Sequence, residues 1–410
     1  MTKDSSTKGV LTGIRVVDFS RVFAGPAAAQ VLGDLGADVV KVENPDGGDE
    51  ARQLGLTEGT DPRLGVSPSF LALNRNKRSI ALDLQTAAGR SVARRLMVGA
   101  DVVIHNFRPG TMKRWGLDLD DLAADNPGLV FGEFFAYGPS GPLADFGAND
   151  LALQAHSGLM SLTGEPGRPP VRVGSAVIDL HGSMALVSAI LAALLHRERT
   201  GEGQRVETSL LLSSAHLMNY FYSEYWIDGV VRKPMGTANH LSVPNQVFPT
   251  ADGQVVIIAP SDGMWRRCAN ALDPETLARA EYATVRDRQT RREEVIEAIS
   301  AVTRRMSSAD VISRLGRVKV NVAKVNSVGD AADHEQLSIS GGLTSFRYRE
   351  ETVNAVSSPF RLGSTPSVVR CQPPKLDEHR DAILSELGIG DAEIDALNAD
   401  GAFGSPLAPS

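Results

Sequence analysis

The first third of the chain alternates short β-branched runs with helix-length segments, and this alternation constrains the fold more than any other feature. Ile14 to Phe19 reads as a buried strand; Gly25-Pro26 opens a helix, with proline where its missing N–H is tolerated, and Gly36 closes it. Asp38 to Glu43 (DVVKVE) is the next strand. The unit then repeats, with a strand from Ser79 to Leu84, a helix capped by Thr86 and running to Val98, and a strand from Asp101 to His105. A further strand, Leu129 to Ala136, follows a short acidic helix. Strand–helix–strand units in series predict an α/β fold, a parallel sheet with helices on its faces.

Beyond this region the sequence predicts a helix from Ser183 to His196, a turn at Thr200 to Gly203 and a strand from Gln204 to Leu210. The character changes after Tyr225. Val247-Phe248 and Val255 to Ile258 flank Ala251-Asp252-Gly253, a hairpin signal, and Arg292 to Thr303 carries Val295, Ile296, Ile299 and Val302 on one helical face. A smaller α+β unit ending near Ala331 accounts for both. Two helical stretches, Arg380 to Leu387 and Asp391 to Leu397, close the pattern.

With 410 residues the chain can build two domains, or one large domain with an insertion. Lys and Arg total 42 against 49 Asp and Glu, a net charge of -7, which argues against a nucleic-acid partner. Cys268 and Cys371 have no partner spacing, so neither a disulfide framework nor a cysteine-rich zinc site is expected. Met1 to Val10 is polar, unlike a signal peptide, and the apolar run Met184 to Leu195 is shorter than the roughly 20 residues of a membrane span. A cytoplasmic setting without membrane association is the expectation.

Three motifs could carry chemistry. At the first strand–helix junction, Asp18-Phe19-Ser20-Arg21-Val22-Phe23-Ala24-Gly25-Pro26, free N–H groups at a helix start could receive a phosphate, or the segment is a plain turn. It lacks G-x-G-x-x-G, so a dinucleotide dehydrogenase is disfavoured. Asn74-Arg75-Asn76-Lys77-Arg78, with Arg108 and Arg114, could bind a ligand with several phosphates or could be a solvated surface run. Asp179 precedes His181-Gly182-Ser183 and an apolar helix. A helix dipole would keep such a carboxylate ionised for attack on a thioester, with N–H groups of the Gly182 turn supporting the oxyanion; equally, it could be a helix cap. His156, His181 and His240 show no triad or metal-pair spacing, and Trp115, Trp226 and Trp265 read as packing residues.

Taken in order, DFSRVFAGP (Asp18 to Pro26), GADVVKVE (Gly36 to Glu43), LNRNKRSIALDL (Leu73 to Leu84), ADVVIHNFRPG (Ala100 to Gly110) and ILAALLHRERTGEGQ (Ile190 to Gln204) resemble the class III coenzyme A transferases, from Leu11 to about Leu397. The resemblance implies a Rossmann-like large domain built from both chain ends (1–225 and 332–410), a small α+β domain inserted at 226–331, and two subunits threaded as interlocked rings. It implies Asp179 as the catalytic aspartate, forming an acyl anhydride and then an aspartyl-CoA thioester. Phe23, Ala24, Leu73, Asn74, Arg75, Asn76, Asn106, Phe107, Arg108, Arg114 and Tyr137 match the family's CoA contacts. CoA and its acyl thioesters would be substrates with a small carboxylic acid as acceptor, and no tightly bound cofactor is implied. The related acyl-CoA racemases carry a histidine where this chain has Asn149, before the acid matching Asp150, so one of a racemase's two bases is missing. Asn44 replaces an arginine common in the family, and the segment Gly229 to Asn245 replaces the glycine-rich loop of formyl-CoA transferases. The alternatives to a transferase are a racemase or a non-catalytic acyl-CoA binding protein.

Overall fold

The computed structural model describes residues 9–56 and 63–404; the polar opening run 1–8 lies outside them. Six strands form one parallel sheet: β1 (Arg15–Asp18), β2 (Asp38–Glu43), β3 (Lys77–Ala81), β4 (Val102–His105), β5 (Val130–Phe135) and β6 (Arg205–Ser209). Their order is β3-β2-β1-β4-β5-β6. β1 pairs in register with both β2 and β4, so the winding of the sheet reverses between β1 and β4. Open α/β sheets bind ligands at the carboxyl ends of strands beside such a reversal. Strands buried on both faces need continuous apolar runs, and Val16, Val17, Val102, Val103 and Ile104 supply them.

The helix α1 (Ala24–Asp34) is buried along its whole length, which its small residues permit. It packs against the longest helix, Val177–Thr200, whose buried residues Leu186, Val187, Ile190 and Leu194 cover the sheet at β5 and β6. Each such side chain contributes about 1.5–3 kcal/mol on burial. By length and composition this helix could cross a membrane, although the Met184 to Leu195 run alone is too short. It also begins at Val177 rather than at Ser183. Gly182 is no turn: it lies inside the helix, where a Cβ would come within 2.7 Å of the Phe134 ring. β3 likewise starts two residues early, because Asn76 takes a left-handed φ of 60° and turns the chain into the strand.

The chain divides into two compact units. One draws on the chain up to Ser157, on Val173–Tyr222 and on the chain from Ile339; it holds the parallel sheet and a hairpin, Leu343–Tyr348 with Glu351–Val356. The other comprises Gly158–Arg172 and Ser223–Ser338. The sequence assigns Gly158–Arg172 to the large domain, because nothing local marks it as belonging elsewhere. The second unit is built on an antiparallel sheet of Asn245–Thr250, Gly253–Ile258 and Asn321–Lys324, with the expected hairpin turn at Ala251-Asp252. The helix Arg292–Thr303 buries Val295, Ile299 and Val302 there, beside Trp265 and Cys268. Trp265 is therefore a core residue, whereas Trp226 is 73% exposed.

Candidate active site

The turn after β1 is built on a lattice of buried charge. Lys77 reaches the Asp18 carboxylate at 2.9 Å, Lys41 reaches Asp49 at 2.8 Å, and Arg52 pairs with Glu43 at 2.8 Å. Burial would raise the pKa of Asp18, but Lys77 and Lys41 outweigh it and hold the carboxyl below its ordinary value. Burial also drives the Lys77 ammonium down to about 8, against the pull of Asp18. The lattice fixes the backbone above it. Asp18 accepts from Ser20 N at 2.9 Å, Lys41 donates to Ser20 O at 2.8 Å, and Asp49 accepts from Val22 N at 3.0 Å. From the loop after β4, Asn106 accepts from Arg21 N at 2.9 Å and donates to Arg21 O at 2.8 Å. These bonds hold Val22 at a φ of 70°, a left-handed conformation costing a β-branched residue about 1–3 kcal/mol.

This turn forms one wall of a cavity of about 310 Å³ at the strand ends. Arg21–Ala24, Asn106–Pro109, Phe134–Ala136, Phe146–Asn149 and Asp179 line it. Asp179 is the third residue of its helix, so it is not the cap; the N-cap is Ala176, whose side chain makes no capping bond. No described residue donates a hydrogen bond to the Asp179 carboxylate. Burial, with the neighbouring charge of Asp150 second, raises its pKa to about 7. The sequence expectation of a carboxylate kept ionised by the helix dipole is thereby corrected: loss of water outweighs the dipole.

The helix start is instead capped from a distance. Asp150 is 8% exposed, and its Oδ2 accepts from Ile178 N at 2.7 Å and from Asp179 N at 3.1 Å. Gln154 donates to the Asp150 Oδ1 at 2.5 Å and accepts from Val173 N at 2.8 Å. On the other side of the turn, Ser213 donates to Ile178 O at 3.0 Å and lies 2.8 Å from His181 Nδ1. His181 Nε2 lies 3.2 Å from His216 Nδ1, with the rings stacked at 5.2 Å.

Of the positions matched to CoA contacts, the fold brings Phe23, Ala24, Asn106, Phe107 and Arg108 into the cavity with Asp179. Arg108 forms no ion pair with any described residue. Tyr137 follows the lining residue Ala136 and packs edge-on against His156 at 5.4 Å. Arg114, exposed on the short helix Thr111–Trp115, bonds Thr111 Oγ1 at 2.9 Å and lies outside the lining.

The basic loop differs from both of its sequence readings, since it is neither a solvated run nor a set of free phosphate ligands. Arg75 forms a fork on Asp34 at 2.6 and 3.0 Å and donates to Val356 O. Asn76 bonds Asp34 at 2.7 Å and Val368 O at 2.8 Å, and Asn74 accepts from Lys77 at 2.8 Å. All three are buried, and their side chains hold the fold together. Leu73 and Arg75 line a separate, apolar cavity of about 720 Å³. The sequence gives no sign that Asp34, more than forty residues earlier, neutralises the loop. Arg21 is a site residue that the sequence does not single out, and Asn149 and Asp150, read there only against a racemase, prove respectively to line the cavity and to cap the Asp179 helix. The available signal was Asn-Asp opening a helix with Gln154 one turn later.

Comparison with known proteins identifies the family. The model of CoA-transferase family III matches residues 11–380. A succinate–glutarate CoA-transferase from Agrobacterium fabrum is 38% identical over 94% of this chain and 98% of its own. A succinyl-CoA:mesaconate CoA-transferase from Haloarcula hispanica is 35% identical over 93% of this chain and 97% of its own. The crystal structure of a CAIB/BAIF family protein from Brucella suis covers 93% of this chain and 100% of its own, with 33% identity and a TM-score of 0.83.

Proposed function

This chain belongs to CoA-transferase family III, and we propose that it moves coenzyme A from a dicarboxylyl-CoA such as succinyl-CoA to a small dicarboxylic acid, with Asp179 as the acyl carrier. The observation that carries the reading is a half-buried carboxylate, with no hydrogen-bond donor among the described residues, in the wall of a cavity lined by the matched CoA positions. A buried acid without a partner destabilises its own fold, and such groups concentrate where chemistry uses them.

In the proposed mechanism the ionised Asp179 attacks the thioester carbonyl of the donor, and CoA leaves as thiolate. The thiolate then attacks the Asp179 carbonyl of the mixed anhydride, releasing the donor acid and forming an aspartyl-CoA thioester. The acceptor carboxylate attacks that thioester, and CoA leaves again. Finally the thiolate takes the acyl group from the second anhydride, which frees Asp179. CoA is substrate throughout rather than resident cofactor. Phe23, Ala24, Asn106 and Phe107 form the wall that would meet it, and the Arg108 guanidinium supplies positive charge for its phosphates. We further propose that the working form is an interlocked homodimer.

Acyl transfer is favoured over racemisation by Asn149. It lines the cavity, its Oδ1 accepts from Ala152 N at 3.1 Å, and an amide cannot exchange an α-proton. The test is to incubate the protein with succinyl-CoA and glutarate, mesaconate, malate and acetate, following new thioesters by mass spectrometry. Glutaryl-, mesaconyl- or malyl-CoA is expected; transfer to acetate alone would overturn the dicarboxylate assignment.

A further inference from the structure

Asp150 touches the nucleophile's backbone and not its carboxylate, an arrangement with two separable effects. Its Oδ2 takes both the Ile178 and the Asp179 N–H, fixing the first turn of the helix that carries Asp179. Its Oδ1 is tied to Gln154, so the carboxylate cannot swing away. A buried negative charge is thereby held beside a second carboxyl that has no donor of its own.

We propose that Asp150 is a positioning residue for the transfer: locked by Gln154 and holding the Ile178 and Asp179 N–H groups, it fixes the first turn of the helix and aims Asp179 into the cavity. This rests on the reading of Asp179 as acyl carrier. The other groups around Asp179 do not duplicate the charge of Asp150. Arg21 and Arg108 line the cavity from the loops after β1 and β4, while α1 and β5 present the uncharged Phe23, Ala24 and Phe134. His181, two residues along the helix, is bonded to Ser213 and His216, and burial with His216 beside it lowers its pKa and favours the neutral ring. Asp150 is thus the charged group that opposes ionisation. Binding of a CoA ester displaces water from the cavity and places Asp179 against the electrophile, so attack replaces a charge that was unfavourable at rest.

The pH dependence of kcat/KM separates the two effects. Asp150→Asn keeps a carbonyl acceptor for the N–H groups and removes the charge, so the acid limb is expected to move down by about one pH unit. Asp150→Ser, neutral and still an acceptor, should move it the same way and serves if the Asn variant fails to fold. Asp150→Ala removes the acceptor as well, and kcat on the plateau should drop about tenfold or more with a smaller change in KM. A folded Asp150→Ala variant that keeps the wild-type kcat on the plateau would overturn the proposal. Full turnover by Asp179→Ala would instead overturn the assignment of the nucleophile, so the two failures are distinguishable.

Discussion

Asp18 and Asp179 are the same residue type, both taken out of water within one unit of the fold, and their environments push them in opposite directions. Asp18 meets Lys77 at 2.9 Å, and its carboxyl is held below the ordinary range. Asp179 has no donor among the described residues and the charge of Asp150 as a neighbour, and it is raised to about 7. The first arrangement stabilises a turn, and the second stores free energy in a reactive group. Burial alone therefore identifies neither structure nor function; what matters is whether the surroundings complete the charge.

The contrast can be broken most severely by removing the proposed nucleophile. Asp179→Ala should lower transfer by at least about 10³-fold while CoA still binds, measured by thioester mass spectrometry and by calorimetric titration with CoA. On the structural side, Asp18→Ala leaves buried Lys77 without its counter-ion and should cost about 3–5 kcal/mol in urea unfolding. Arg75→Ala removes the counter-ion of buried Asp34, which keeps its bonds from Asn76 and Ser358, so its loss should appear mainly as instability of about 3 kcal/mol, with CoA affinity retained in the folded fraction. Unchanged stability with weakened CoA binding would return Arg75 to the ligand.

A smaller and opposite effect is expected for Asp179→Asn, a gain of about 2 kcal/mol at pH 8 after discounting for partial exposure. The sign follows from linkage. With a native pKa near 7, Asp179 keeps its proton between its ordinary value of 3.8 and 7, where the unfolded chain has given it up. Its favourable contribution is full below 3.8 and is lost as pH rises to 7, so the advantage of Asn should grow over that window and level off above it. Catalysis should show the complementary limb: attack needs the ionised form, so kcat/KM should fall as pH drops below about 7. A milder effect is expected for Arg108→Ala, about a tenfold rise in KM for the CoA ester, and the mildest for Arg114→Ala, outside the cavity lining, which should change it less.

Much of the fold was legible because strand and helix periodicities are local. Val-rich runs that can be buried on both faces, glycines at helix ends and a proline at a helix start fix the parallel units without distant information. The hairpin around Ala251-Asp252 was visible for the same reason. The family resemblance singles out Asp179, Asn106 and Arg108, while Asp179 by itself reads more readily as a cap than as a nucleophile.

What the sequence by itself determined, then, is the order of elements and the presence of a carboxylate near the start of an apolar helix. Only the tertiary structure decided what each charge does. Electrostatic roles depend on partners brought from far along the chain: Asp34 claims Arg75, Asp150 caps the helix of Asp179, and Phe134 lets Gly182 continue that helix instead of ending it. A sequence fixes which charges exist, and folding fixes their distances, on which their energies depend.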